Sequence, residues 1–122
     1  MKSAIENSNA LLLENQICFP LYSAANALIR AYKPFLDQLD LTYSQYLVML
    51  VLWQHSAVTV KELGRQLGLD SGTLTPLLKR LESKGLVLRK RSTKDERARI
   101  ISLTRQGKSL EQQAANIPGD LF

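Results

Sequence analysis

Residues 69–104, LDSGTLTPLLKRLESKGLVLRKRSTKDERARIISLT, decide how the rest of the chain is read. Leu74, Leu77, Leu78 and Leu81 recur at helical spacing and form one apolar stripe, leaving Gly72, Thr73, Thr75, Pro76, Lys79 and Arg80 on the opposite face. Gly85 closes this helix as a left-handed cap. Pro76 is comfortable only in a first turn, so the N-cap is expected between Ser71 and Thr73. After Gly85, LVLRKR alternates apolar with basic, STKDERA is a polar turn and RIISLT resumes as a strand. That pattern is a β-hairpin with a charged tip.

Working outward, TVKELGRQLGLD places Thr59 as an N-cap with Glu62 three residues on, a capping box before a short helix that faces Val60, Leu63 and Leu67 inward and ends at Gly68. Before it, DLTYSQYLVMLVLWQHS is a helix that Thr42 or Ser44 can cap, apolar nearly all round from Leu47 to Trp53 and therefore buried. Earlier still, Leu21, Ala24, Ala25, Leu28, Ile29 and Tyr32 give a long amphipathic helix from Pro20 to Pro34 or a little beyond. Beyond the hairpin, a last helix starts at Thr104 and stops around Pro118. The order describes a mainly α fold with a small β-hairpin: one winged helix-turn-helix domain over 1–122. In it 59–104 form the DNA-binding core and wing, and 13–41 and 105–122 contribute to dimerisation.

With 45% hydrophobic and 22% charged residues, 122 positions suit one globular domain. A single cysteine excludes an intrachain disulfide, and one histidine beside it leaves no cluster of soft ligands, so no metal or other cofactor is expected. The apolar run near the N-terminus is only ALLL, and no later run approaches membrane-spanning length. A cytosolic protein that keeps its thiol reduced is the expectation.

The net charge of +5 is localised. Residues 61–105 hold twelve Lys or Arg against five acids, a net of +7, while the remainder holds four against six, a net of −2. Such an asymmetry suits a face for a polyanion. On the candidate recognition helix, the hydroxyls of Ser71, Thr73 and Thr75 can meet phosphates or base edges, the helix N-terminus favours an anion, and Lys79 and Arg80 lie one turn on. The hairpin adds Arg89, Lys90 and Arg91 on its strands and Lys94, Asp95, Glu96 and Arg97 at its tip, where they could reach a minor groove.

Cys18 stays open on the residues alone. Ile17 and Phe19 suit a buried apolar thiol, whereas a helix start favours thiolate, the form that attacks peroxides.

The quoted stretch resembles the recognition helix and wing of the MarR family of bacterial transcription regulators, including the wing pattern of Asp95, Glu96, Arg97, Leu103 and Thr104. LENQICFPLY, AYKPFLDQL and LTYSQYLVMLVLW resemble the organic hydroperoxide-responsive repressors of that family, with the similarity running from about Leu13 to Gly119. The resemblance implies a homodimer on an inverted-repeat operator in double-stranded DNA. It implies that Arg97 enters the minor groove, that Asp95 steadies the wing, and that Ser71, Thr73, Thr75, Lys79, Arg80 and Arg91 belong to the DNA-facing set. Cys18 is then the peroxide sensor, held by Tyr32 and Tyr43 of the partner subunit, and oxidation by an organic hydroperoxide releases DNA. A small thiol can cap the oxidised sulfur. With no second cysteine the chain resembles the one-cysteine type. The family usually continues into a further long helix, so a shortened chain, with a final helix or a resolving cysteine lost, is a further expectation. A MarR-type regulator answering another ligand or oxidant, a thiol peroxidase, and an adaptor that keeps the fold without reading DNA are the rival readings.

Overall fold

Just before the first helix, Asn15 and Gln16 fold the backbone onto itself. Asn15 Nδ2 donates to the Asn9 carbonyl at 2.6 Å, and Gln16 Nε2 donates to the Ala10 and Leu12 carbonyls at 2.7 and 3.0 Å, closing a 3-10 turn at Leu13–Asn15. The computed structural model describes residues 9–94 and 97–121, and the chain divides into two units, Met1–Tyr32 and Lys33–Phe122.

Helix α1, Cys18–Leu39, begins two residues before Pro20 and runs through Pro34. Pro20 sits in the first turn, where no partner for its missing N–H is needed. Pro34 removes only the bond to the Arg30 carbonyl, and burial of Leu36 and Leu39 beyond it repays the continuation. In the first unit the apolar face of α1 is open, with Leu21 70%, Tyr22 66% and Leu28 53% exposed.

In the second unit, α1 ends at Asp40, and α2, Tyr43–His55, starts from a complete capping box: Thr42 Oγ1 accepts from Gln45 N–H, and Gln45 Oε1 accepts from Thr42 N–H. Thr42, not Ser44, is the cap. Val48, Met49, Val51 and Leu52 are buried and form the centre of the core with Leu63, Leu74, Leu78, Leu81, Val87 and Ile101, but the burial expected for the whole run is incomplete: Leu50 is exposed, and Leu47 and Trp53 are half-buried. α3, Val60–Leu67, buries Leu63 and ends in left-handed Gly68. Its expected capping box is half formed: Thr59 accepts from Glu62 N–H, but the Glu62 carboxylate bonds Arg65 and Gln66 instead.

α4, Ser71–Ser83, buries Leu74, Leu77, Leu78 and Leu81. Its C-terminus is a Schellman motif, with Gly85 N–H on the Glu82 carbonyl, Leu86 N–H on the Leu81 carbonyl, and Gly85 at φ 77°. The predicted hairpin is present as β2, Val87–Arg91, and β3, Arg99–Leu103, in antiparallel register from Val87 opposite Leu103 to Arg91 opposite Arg99. A short strand the sequence reading lacked, β1, Ala57–Thr59, pairs with the other edge of β3 and makes a three-stranded sheet of order β1-β3-β2. Three residues are too few to show alternation, and only β3 gives them a partner.

The last segment is two helices, not one ending at Pro118. α5, Arg105–Ala114, is capped by Thr104, and α6, Ile117–Leu121, follows a two-residue turn with Pro118 in its own first turn. Proline fits a helix start better than a helix end, which is why the break falls earlier. Trp53 Nε1 donates to the Gly107 carbonyl at 2.9 Å and joins α5 to α2.

Candidate nucleic-acid interface and sensor cysteine

The start of the recognition helix lies one residue earlier than the sequence reading placed it. Asp70 is the N-cap, its carboxylate accepting from Thr73 N–H at 2.8 Å, and Pro76 consequently stands inside α4. The carbonyl that Pro76 cannot serve is that of Gly72, an exposed residue, so water can take the vacated bond. The Thr73 backbone N–H, helped by the Thr73 hydroxyl, holds the Asp70 carboxyl below the usual carboxylate range. A carboxylate of the chain itself thus takes one of the N–H groups at this helix start, that of Thr73.

Ser71, Thr73, Thr75, Lys79 and Arg80 are all exposed, as the apolar stripe behind them requires. Ser71, Thr75 and Lys79 succeed one another at i+4 on one row. The Thr75 hydroxyl donates to the Ser71 carbonyl at 2.8 Å, so while that bond holds it can accept from a base amino group but has no proton to offer a phosphate. Along α3, Glu62 is drawn to a pKa of about 2 by the hydrogen bond from Arg65 and then that from Gln66. Arg65 is therefore tied to an acid on its own helix.

In the wing, Ser92 N–H donates to the Ala98 carbonyl and Lys94 N–H to Ser92 Oγ, narrowing the loop beyond the strands. Arg91 and Arg99 face each other directly across the ladder, both exposed. Arg97 is exposed beside them; Asp95 lies outside the described residues. Arg89, counted in the sequence with the basic strand residues, turns inward: its Nη2 bonds Glu82 Oε1 of α4 at 3.2 Å, while its Nε is buried without a protein partner.

Between the start of α3, the outer face of α4 and the wing lies a groove of about 540 Å³, lined by Thr59, Lys61, Thr75, Arg89, Arg97 and Arg99 with Val60, Leu78 and Ala98. Lys61 and Arg99 were not singled out in the sequence. Nothing in the local sequence separates either from the other cations of the segment, since the groove forms only when α3, α4 and the wing come together.

Cys18 is exposed and is the first residue of α1. The apolar burial that Ile17 and Phe19 suggested is absent: both are exposed as well. Tyr32 lies fourteen residues further along α1, roughly 21 Å at the helical rise of about 1.5 Å per residue, so it cannot touch Cys18 of its own chain. Tyr43 is the first residue of α2, half-buried, its ring centroid 6.4 Å from that of Tyr46. No group of three His, Cys, Asp or Glu among the described residues could hold a metal ion, and no described helix is long and apolar enough to cross a membrane.

Comparison with known proteins gives a consistent result. The family described as transcriptional regulator SarA/Rot matches residues 30–114. The organic hydroperoxide resistance transcriptional regulator of Bacillus subtilis (strain 168) is 55% identical over 90% of this chain and 75% of its own length. SarZ of Staphylococcus aureus (strain USA300) is 43% identical over 97% of this chain and 78% of its own. Among solved structures, reduced AbfR bound to DNA, a protein of Staphylococcus epidermidis, superposes with a TM-score of 0.82 at 41% identity, over 90% of this chain and 77% of that one.

A recognition helix, a wing and a basic groove between them define a winged helix-turn-helix transcriptional regulator, not an enzyme. The exposed lone cysteine narrows the class. The chain belongs to the MarR family, within its redox-sensing group alongside the organic hydroperoxide regulator, SarZ and AbfR.

Proposed function

We propose that this chain is a repressor that binds an inverted-repeat operator as a homodimer and releases it when an organic hydroperoxide oxidises Cys18. The observation that carries the reading is Cys18 itself, exposed at the start of a helix whose apolar face is also open in the single chain. An open apolar face of this kind calls for a partner. A second copy would cover Leu21 and Leu28 and bring its Tyr32 and Tyr43 to the sulfur that the same chain's Tyr32 cannot reach.

The chemistry balances simply. The Cys18 thiolate attacks the terminal oxygen of the hydroperoxide, the S–O bond forms as the O–O bond breaks, and the alkoxide leaves as an alcohol after taking a proton. The resulting sulfenic acid condenses with a small thiol, forming a disulfide and expelling water. Either product enlarges a site held by tyrosine hydroxyls and shifts the spacing of the two recognition helices. On the DNA side, Ser71, Thr73, Thr75, Lys79 and Arg80 face the major groove, and Arg91 and Arg97 the flanking minor groove, with Asp95 steadying the wing.

Titration of the upstream DNA with and without cumene hydroperoxide tests the reading. Cys18→Ser keeps a similar size and a hydrogen bond but cannot form a sulfenic acid, so it binds like the parent and stays bound after the dose. Release by the Cys18→Ser protein at the parent's dose would remove the thiol from the switch.

A further inference from the structure

Three helix ends converge on one ammonium group. α1 finishes in a Schellman motif, with Asp40 N–H on the Asp37 carbonyl and Leu41 N–H on the Leu36 carbonyl, both at 3.1 Å, but the left-handed position belongs to Asp40, at φ 56°, not to glycine. A strained non-glycine residue persists where its surroundings require it. Here the Asp40 carbonyl is turned to accept a hydrogen bond from Lys84 Nζ. Lys84 is itself the C-cap of the recognition helix α4. Its ammonium also donates to Gln45 Oε1 at 2.9 Å, the oxygen that closes the capping box at the start of α2.

The acceptors that matter are the carbonyl and the amide. The Asp40 carboxylate stands 3.8 Å away and its side chain is 93% exposed, whereas Gln45 is only 3% exposed. The C-terminal end of α1 favours a cation at this place. Tyr43 lies within the same capping box, between Thr42 and Gln45.

We infer that Lys84 is the positioning residue that passes a displacement of Tyr43 to the recognition helix. This rests on the reading that oxidation of Cys18 in the partner subunit is felt at Tyr43. When Tyr43 moves, the Thr42–Gln45 box moves with it, and Gln45 Oε1 carries the Lys84 ammonium, whose backbone caps α4. Without the ammonium, the start of α2 shifts and α4 stays where it was.

The test compares the parent with Lys84→Met, Lys84→Arg and Asp40→Gly, measuring affinity for the upstream DNA by fluorescence anisotropy before and after stoichiometric cumene hydroperoxide, with Cys18 modification followed by mass spectrometry. In the parent, oxidation weakens binding about tenfold or more, within the usual range of coupling between sites. Lys84→Met binds normally when reduced and changes less than about twofold when oxidised, although Cys18 is modified to the same extent. Lys84→Arg, which restores a cation, recovers part of the response. Asp40→Gly keeps the carbonyl and responds like the parent. If Lys84→Met melts too low for the assay, Lys84→Gln gives the same comparison with the charge removed.

A variant with lower melting temperature and weaker binding but an unchanged ratio of oxidised to reduced affinity would make Lys84 a brace only, and overturn the inference. A parent that keeps its DNA with Cys18 fully modified would overturn the release reading, and this inference with it.

Discussion

At the scale of single residues, several polar side chains of the proposed DNA-facing region also hold the protein together. Asp70 is one of them: its carboxylate caps α4 beside the residues proposed to meet DNA. Asp70→Asn keeps the cap and removes that charge, so non-specific DNA affinity should rise in a salt titration, while Asp70→Ala should lower the melting temperature. The pH dependence has a definite sign. Asp70 has a folded pKa below its ordinary 3.8, so its contribution is present above 3.8 and lost as pH falls through the lower folded value. Acid titration of the parent against Asp70→Asn reads that difference. Arg97→Ala should weaken operator binding by about 1–3 kcal/mol if its side chain enters the minor groove. An unchanged affinity would take Arg97 out of the interface. Arg89→Ala should instead lower the melting temperature, because it cuts the Glu82 tether between β2 and α4.

At the scale of elements, α5 packs closely against the junction between α4 and β2 and against β3. Gly107 of α5 lies so near the Leu86 carbonyl that an added Cβ would collide with backbone, and its own carbonyl receives Trp53. Gly107→Ala should therefore destabilise the domain by about 1–3 kcal/mol, measured by urea unfolding. Gly64 is a similar case within the helix-turn-helix, where a Cβ would stand 2.7 Å from the Leu69 carbonyl oxygen. The core behind both elements is aliphatic, and Leu52, fully buried in α2, should cost about 2–5 kcal/mol when cut to alanine. A smaller loss would mean that the neighbours close over the cavity.

For the whole molecule, the working unit proposed is a symmetric dimer with its recognition helices about 34 Å apart, one turn of DNA. Sedimentation should show dimer at micromolar protein, and substituting Leu21 and Leu28 by serine should shift it to monomer with loss of operator binding. Monomer that still protects a full palindrome would contradict the mechanism. Because the basic residues are gathered in 61–105, affinity should fall steeply with salt as counterions are released. A flat salt response would count against DNA as the partner.

Local sequence determined the helices up to the last segment, the cap at Thr59, the glycine ends at Gly68 and Gly85, and the hairpin, because periodicity, N-cap hydroxyls and left-handed glycines act within a few residues; it left Thr42 and Ser44 as equal caps and the last segment as one helix. The apolar stripe of α4 likewise placed Ser71, Thr73, Thr75, Lys79 and Arg80 outward without any tertiary information. What local rules could not decide were choices between two acceptable partners. Asp70 and Ser71 are both good caps, and in the folded chain it is Asp70 that accepts from Thr73 N–H, leaving Pro76 inside the helix. Ala57–Thr59 became a strand only because β3 offered an open edge. Arg89 and Lys84 read as two more surface cations in a basic segment; the tertiary structure turned one to Glu82 and the other to Asp40 and Gln45. A charge finds its partner across space, and sequence spacing of 39 or 44 residues carries no signal of it.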